Sequence, residues 1–335
     1  MKRIRFTRVG LVIAVLATAV VAIAASTGSA APNKTLKVRV ITCCPVTQGT
    51  WDPSHFKAYN AAAKQLGWNL QIAQTVPYGQ ADQVLGRWGG EGVDIVFSTD
   101  NGFQDHMLLA AKKYPKTLWV TMSDMSTTNG LKNVGAYTVD WCQLGYAQGV
   151  AAALVSKSHK IGIVGAIPIL PAKKTLAGMQ VGAELAVPGT KIVPQYSGDF
   201  IDAQKAQEVA SALIDGGADV IIPVTQGSVS PQIAARVQDR GKWYLGSYGD
   251  ETRFAPKATV TNAVVKFELG YRTVAQQRAA GTFAPGIHRG TIANGFIKLT
   301  PYRLGFAKLQ AKTDALIKKA ASGKVNLSAC EAINK

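Results

Sequence analysis

The histidine side chains of this sequence are too far apart to form a metal site or a catalytic pair. They are His55, His106, His159 and His288. No two of them have the spacing of a zinc-protease helix, and none can be matched to a nucleophile elbow. The glycines at 89, 90 and 92 precede an apolar strand instead of following one, which excludes a dinucleotide or phosphate loop. The sequence therefore predicts no catalytic residues, no cofactor and no bound metal.

The cysteines also lack a metal-binding pattern. Cys43 and Cys44 are adjacent, whereas Cys142 and Cys330 lie far apart in the chain. None has the short spacing to another Cys or His that zinc sites favour. In an oxidising compartment they can form disulfides, but their spacing leaves the pairing open.

The first 31 residues have the layout of a secretory signal peptide. Basic residues are followed by an apolar stretch at 9–25 and by the small residues of 28–31. The alternative is a retained membrane anchor, because the apolar stretch approaches the length that spans a bilayer. No cysteine directly follows the expected cut, so no lipobox is present. We therefore expect a soluble protein that is exported to the periplasm or the extracellular space.

The basic composition does not indicate a nucleic-acid partner. The 335 residues carry a net charge of +17, part of which belongs to the leader. The lysines are scattered singly or in pairs, without a basic stripe interleaved with aromatic residues. A solvated basic surface is the simpler interpretation. The length after the leader is sufficient for two domains.

Short β-branched runs alternate with segments of helical period, which predicts parallel sheets with crossover helices. The predicted strands are 36–42, 70–75, 94–98, 117–122, 133–139, 160–165, 191–196, 219–224 and 243–246. The predicted helices are 54–66, 80–88, 104–113, 143–155, 172–186, 203–215, 231–240 and 267–280. This pattern is typical of a doubly wound α/β fold.

Two segments of the sequence share a similar pattern. Residues 90–99 and 216–225 both contain glycine, then an Asp, a buried apolar strand and a polar loop. The chain thus resembles two similar Rossmann-like lobes joined by a hinge. We assign 36–140 and about 252–283 to lobe 1, and 141–251 and about 284–335 to lobe 2, with crossings near 139–141, 248–253 and 283–288.

The loops after the apolar strands of these two similar segments are candidates for ligand contact. Ligands of open parallel sheets bind beyond the carboxyl ends of the strands, so both loops are expected to face one cleft. The candidate residues there are Ser98, Thr99, Asp100, Asn101 and Phe103 in the first loop and Gln226 and Gly227 in the second. For any single residue, an ordinary strand-ending turn is an equally good interpretation.

Several longer runs resemble the basic-membrane-protein family of importer binding proteins, a group that includes purine nucleoside receptors. The runs are VGAIPI at 164–169, TLAGM at 175–179 and ALIDGGADVI at 212–221. The resemblance extends over nearly the whole chain after the leader. It implies a type I periplasmic-binding-protein fold, in which two lobes joined by three crossing segments close on a ligand.

The resemblance also implies particular ligand contacts. An aromatic residue that stacks on the base falls at Trp51, next to Asp52, and a lysine of the site falls at Lys266. Trp51 could instead anchor the loop to the core. Lys266 follows three apolar residues, so we expect its charge to face inward and to need a partner.

Two positions depart from the family pattern. Gln48 stands where nucleoside-type members have an acidic residue in the first loop. Tyr248 replaces the acid that grips the sugar hydroxyls, although Asp250 keeps the second acid of that run. Asp250 could accept ligand hydroxyls or pair with Lys266 or Arg253.

The predicted function is that of the extracytoplasmic solute-binding component of an ABC importer. We expect a monomer that binds a small polar ligand, a purine nucleoside, and meets a permease and ATPase complex in the inner membrane. The alternatives are a protein of the same fold that binds a sugar or another solute, a ligand sensor, and a nucleoside hydrolase. The last is disfavoured because no Asp-rich cation cluster lies near the first strand.

Overall fold

A computed structural model describes residues 35–225 and 229–333 of this chain. The expected leader at 1–31 and the predicted contacts Gln226 and Gly227 lie outside the described residues. The described part contains two six-stranded sheets with helices packed on their faces. Within it, no helix is long and apolar enough to cross a membrane.

The strands alternate with helices along the chain, as the sequence predicts. The strands are β1 (Lys37–Ile41), β2 (Asn69–Ala73), β3 (Ile95–Ser98), β4 (Leu118–Thr121), β5 (Val134–Val139), β6 (Lys160–Gly165), β7 (Lys191–Tyr196), β8 (Val220–Val224), β9 (Trp243–Tyr248), β10 (Thr259–Val265), β11 (Gly286–Gly290) and β12 (Ile297–Leu299). The central strands are buried on both faces, because helices cover each sheet.

The eight predicted helices begin and end close to their predicted positions, and two further helices near the C-terminus of the described part were not predicted. The helices are α1 (Trp51–Leu66), α2 (Ala81–Gly90), α3 (Gln104–Lys113), α4 (Trp141–Val155), α5 (Leu170–Ala186), α6 (Ala203–Asp215), α7 (Ser230–Asp239), α8 (Phe267–Ala280), α9 (Gln310–Ala321) and α10 (Ser328–Glu331). Asp140 and Asp202 cap α4 and α6 by accepting hydrogen bonds from backbone N–H groups of the first turn.

Both sheets have the same strand order. The first sheet runs β11-β5-β4-β3-β1-β2 and the second runs β12-β10-β9-β8-β6-β7. Neighbouring strands are parallel, except that β12 is antiparallel to β10. In the first sheet the strand order reverses between β1 and β3, and in the second sheet it reverses between β6 and β8. These are the positions where doubly wound sheets open a crevice.

Two C-terminal strands differ from the predicted lobe assignment. Strand β10 pairs with β9 in the second sheet, although 252–283 was expected in lobe 1. Strand β11 pairs with β5 in the first sheet, although 284–335 was expected in lobe 2. The pairing of β10 with β9 and of β11 with β5 decides their place, and the sequence pattern does not encode that choice.

The chain therefore crosses between the two sheets at partly different points from those expected. The first crossing, between β5 and α4, agrees with the predicted 139–141. The prediction at 248–253 is wrong, because the chain continues from β9 to β10 within the second sheet and leaves it only after Val265. The last crossing lies at 291–296, between β11 and β12, rather than at 283–288.

Helices α4 and α5 of the second lobe pack with their backbones in contact. A Cβ atom added to Gly149 of α4 would lie 2.1 Å from the Met179 carbonyl oxygen, and one added to Gly178 of α5 would lie 2.1 Å from that of Cys142. Glycine is thus required on both helices for this close approach. A disulfide between Cys142 and Cys330 attaches the C-terminal helix α10 to α4.

We expect Gly149→Ala to destabilise the protein by about 2 kcal/mol or more, because the new methyl group must push two buried helices apart. The matched control is Gly86→Ala in α2, where an added Cβ meets nothing within 4 Å. That variant should be neutral or more stable by up to about 1 kcal/mol, since alanine favours a helix over glycine. Chemical denaturation of both variants measures the difference, and equal stabilities would contradict the close packing.

Candidate ligand-binding cleft

A cavity of about 480 Å³ lies between the two lobes, at the carboxyl edge of the first sheet. Its first-lobe wall comes from the loops after β1 and β3, and its second-lobe wall comes from the segments after β6 and β7. The residues that line it are Cys43, Cys44, Pro45, Gln48, Trp51, Asp52, Tyr78, Asp100, Asn101, Gly102, Ile167, Ile169, Phe200 and Ile201. This is the crevice that the strand order predicts.

A second cavity of about 770 Å³ continues this space and has a more charged lining. It shares Asn101, Gly102 and Ile169 with the first cavity. Its charged side chains are Asp105, Asp124, Asp140, Lys174, Arg289 and Glu331. The space between the lobes thus has an apolar part beside Trp51 and a charged part beyond Asn101.

Trp51 is the first residue of α1 and is held in one orientation. Its indole Nε1–H donates a hydrogen bond to the backbone oxygen of Thr99, at 3.0 Å. The ring stacks on Trp141 at 6.1 Å and meets Tyr248 of the second lobe edge to face at 5.3 Å. Trp51 is only 5% exposed, so it both lines the cavity and packs in an aromatic cluster between the lobes.

Asp52 follows Trp51 and is a buried carboxyl group in the cavity wall. Its Oδ1 accepts a hydrogen bond from the Thr99 hydroxyl, at 3.2 Å, and the residue is 7% exposed. Burial raises the pKa of Asp52 to about 7. The hydrogen bond from Thr99 lowers this pKa, and the charge of nearby Asp100 raises it. The carboxyl therefore changes between donor and acceptor near neutral pH.

Asp100 and Asn101 form the turn after β3. The Asp100 carboxylate accepts hydrogen bonds from the Gly102 N–H and the Tyr78 hydroxyl, both at 2.7 Å. This arrangement fixes Tyr78, whose ring is 44% exposed, in the cavity wall. Asn101 is exposed and lies at the boundary between the two cavities.

Three predicted contacts support the site from behind rather than lining either cavity. Ser98 donates to the backbone oxygen of Asp100 at 2.7 Å, and Thr99 holds Trp51 and Asp52. Phe103 is fully buried against the edge of the Tyr78 ring, at 5.1 Å. Ser98, Thr99 and Phe103 therefore position the side chains that face the space.

The residues expected around a sugar lie away from both cavities. Tyr248 is buried in the aromatic cluster and has a φ of 70°, a conformation that bulky residues rarely adopt. Asp250 is exposed and accepts hydrogen bonds from the Thr252 N–H and the Asn262 amide. Lys266 is exposed at the N-terminus of α8, so its expected inward orientation is wrong, because the chain leaves the second sheet at this residue.

A buried carboxylate that the sequence analysis missed connects the two lobes. Glu251 is fully buried and accepts hydrogen bonds from the Thr50 hydroxyl of the first lobe, the Tyr244 hydroxyl at 2.6 Å and the Ser247 N–H at 3.2 Å. Burial raises its pKa, and these donors oppose the increase. The interaction holds the loop after β9 against the start of α1.

The second-lobe wall was also missed. Ile167 and Ile169 follow β6, and Phe200 and Ile201 follow β7. The signal was present in the topology, since β6 is the counterpart of β1 and its loop occupies the equivalent position. Ile201 is 73% exposed, which is unusual for a large apolar side chain beside a cavity.

The cavity is lined by aromatic, carboxyl, amide and aliphatic side chains, which are groups that bind a small molecule. Within the described residues, no group of His, Cys, Asp and Glu side chains is arranged to hold a metal ion. His55 lies beside Trp51, but it is fully buried and burial lowers its pKa to about 3. It therefore stays neutral at physiological pH and packs against Phe267.

Two curated proteins are similar in sequence to this chain over most of its length. The chain is 27% identical over 305 residues to a purine-binding protein of Brucella abortus, covering 89% of this chain and 85% of that protein. It is 27% identical over 267 residues to the ABC transporter nucleoside-binding protein BmpA of Lactococcus lactis, covering 72% of each.

A solved structure has the same fold over most of its length. The solute-binding protein of an ABC transporter from Conexibacter woesei superimposes with a TM-score of 0.74 at 25% identity, covering 87% of this chain and 98% of that one. The family described as PnrA-like ABC transporter substrate-binding proteins matches residues 38–324. This chain therefore belongs to the PnrA-like family of ABC transporter substrate-binding proteins.

Proposed function

We propose that this substrate-binding protein is exported by its N-terminal leader and binds a purine nucleoside in the cleft between its lobes. The observation that carries the proposal is the cavity of about 480 Å³ with an aromatic and carboxylate wall on one lobe and an aliphatic wall on the other. Its volume falls within the usual range for small-molecule sites. Two relatives whose names refer to purine and nucleoside binding support the ligand class.

The two walls suit a flat heterocycle. Trp51 and Tyr78 line the cavity on the first lobe, and Ile167 and Ile169 line it on the second lobe. A purine placed between them buries both faces, and aromatic contacts of this kind contribute about 1 kcal/mol beyond burial. The apolar sandwich therefore favours a base over a hydrated sugar.

Polar groups at the edge of the sandwich would fix the orientation of the base. Asp52, Gln48 and Asn101 offer carboxyl and amide groups in the same cavity. Amides both donate and accept, and ionised Asp52 accepts from ring N–H or amino groups. These side chains give the site its discrimination among heterocycles.

A free purine base is the second candidate. Asp250 is exposed and Tyr248 packs on Trp51, so neither occupies the sugar-gripping place that the family pattern assigns to an acid. A ribose would instead extend toward Asn101 and the charged cavity. A base alone needs none of those contacts.

Ligand binding would favour the closed arrangement of the lobes because the ligand touches both walls. Such a ligand shifts the equilibrium only by its preference for the closed form over the open one. The closed protein, as a monomer, would then deliver its ligand to a permease and ATPase complex in the membrane. A sensor that presents the closed form to a receptor would use the same geometry.

We expect a thermal-shift screen of the purified protein to show stabilisation by purine nucleosides. At a hundred times the dissociation constant the gain should be about 2.7 kcal/mol by mass action. Gln48→Ala should weaken binding about fivefold through loss of one hydrogen bond, whereas Gln204→Ala, an exposed glutamine on α6, should not. Equal stabilisation by free purines would select the base, and stabilisation by sugars alone would contradict the proposal.

We expect Asp52→Asn to stabilise the ligand-free protein at pH 8.5 by an amount that shrinks toward pH 4. Folding raises the pKa of Asp52 from 3.8 to about 7, so the native state disfavours the ionised form. Wild-type stability therefore falls as pH rises from about 4 through about 7, and asparagine removes this loss. Melting temperatures across this range test it, with exposed Asp239→Asn as the control. A gain independent of pH would contradict the buried carboxyl.

A further inference from the structure

Two adjacent cysteines lie in the wall of the cleft, directly after strand β1. Cys43 and Cys44 are half-buried, and both line the cavity of about 480 Å³ beside Trp51 and Asp52. Their Sγ atoms are 2.7 Å apart, which is closer than non-bonded sulfur atoms normally approach. Cys43 Sγ also lies 3.7 Å from an oxygen of Asp100.

The backbone holds the pair at this edge of the sheet. The Thr42 N–H donates to the Ala73 oxygen, which continues the pairing of β1 with β2 by one residue. The Thr42 hydroxyl donates to the Cys44 oxygen at 2.7 Å. Both thiols therefore remain at the cavity surface where a ligand would pass.

The thiols differ in acidity because they interact with each other. The hydrogen bond from Cys43 lowers the pKa of Cys44, while the same bond, burial and nearby Asp100 raise the pKa of Cys43. Cys44 is therefore the thiol that ionises first and the better nucleophile.

We propose that Cys43 and Cys44 form a vicinal disulfide in the exported protein and that this disulfide is a redox-sensitive wall of the ligand cleft. The compartment and the ligand rest on the proposed function above. The same chain contains the disulfide between Cys142 and Cys330, so it is compatible with an oxidising environment.

The oxidant required is a protein or small-molecule disulfide. The Cys44 thiolate attacks one sulfur of that oxidant, forms a mixed disulfide and releases the first thiolate. The Cys43 thiol then loses its proton and attacks Cys44 Sγ, which forms the new S–S bond and releases the second thiolate. The pair gives up two electrons and two protons, and the oxidant becomes two thiols.

Adjacency makes this disulfide easier to reduce than the other one. Consecutive Cα atoms are about 3.8 Å apart across a trans peptide, below the range of about 4.4–6.8 Å that disulfides prefer. The Cα atoms of Cys142 and Cys330 are 5.9 Å apart, within that range. Strained disulfides have more oxidising potentials, so the vicinal pair should open first.

The redox state would alter the ligand surface. In the reduced form, two separate thiols offer S–H donors beside Asp100. In the oxidised form, the disulfide offers a compact, polarisable and apolar surface. Polarisable sulfur makes favourable contacts with aromatic rings. The oxidised form should therefore hold the face of a heterocycle more tightly.

The first experiment counts thiols in protein purified from an oxidising compartment without reductant. Acid quenching and maleimide labelling under denaturing conditions, followed by intact mass and peptide mapping, identify each free cysteine. We expect no label on Cys43 or Cys44 in the native protein. Graded glutathione buffers should then release these two thiols before Cys142 and Cys330. Labelled Cys43 and Cys44 in the untreated protein would overturn the proposal.

The second experiment compares ligand affinity between the two redox forms by calorimetry, with the compound that stabilises the protein most. We expect oxidised protein to bind about fivefold more tightly. The double variant Cys43→Ser, Cys44→Ser should lose this redox dependence, whereas Cys142→Ser, Cys330→Ser should keep it.

The two proposals fail in different ways. Equal affinities for the oxidised and reduced forms would overturn the redox-sensitive wall while leaving the binding function intact. If no compound bound either form, the proposed function would be contradicted. The thiol count would still decide whether the vicinal disulfide exists.

Discussion

The reversal of strand order at the centre of each parallel sheet decides where this protein can hold a ligand. Chain segments that leave β1 and β3 run to opposite faces of the first sheet, so a crevice opens between their loops. The second sheet repeats the order, and β6 brings its own loop to the same space. The cavity between the lobes therefore follows from topology before any side chain is considered.

Within that crevice, exclusion of water gives the side chains their properties. Asp52 lies in the first turn of α1 and Glu251 follows β9, and burial raises the pKa of each. Glu251 accepts hydrogen bonds from Thr50, Tyr244 and Ser247 and joins the lobes. Asp52 accepts a hydrogen bond from the Thr99 hydroxyl and lines the cavity, so its carboxyl group can also contact a ligand.

Local sequence patterns predicted the repeated βα units well, because each combines a buried apolar strand with an amphipathic helix. The strands and helices up to 248 lie close to their expected bounds. Strands β10, β11 and β12 were missed because the partner of each strand depends on tertiary packing, which local sequence patterns do not encode. Their placement moved the second crossing to Lys266 and left that side chain in solvent.

The cavity lining was predicted in part. Gln48, Trp51, Asp52, Asp100 and Asn101 all line the cavity. The family resemblance indicated Gln48, Trp51 and the neighbouring Asp52, and the position after a buried strand indicated Asp100 and Asn101. The orientation of Tyr248 and Asp250 could not be inferred, because it depends on the packing of Tyr248 against Trp51 across the lobes. The aliphatic wall at Ile167 and Ile169 follows β6, the counterpart of β1, and was missed because apolar side chains in a loop do not by themselves indicate ligand contact.

A crystal structure grown with a saturating purine nucleoside would show whether the ligand lies in the cleft between the lobes. We expect electron density for the base between Trp51 and Tyr78 on one side and Ile167 and Ile169 on the other, with a polar edge at Asp52 or Asn101. Density on an outer face of either lobe, or an empty cleft in protein that binds the nucleoside in solution, would contradict it.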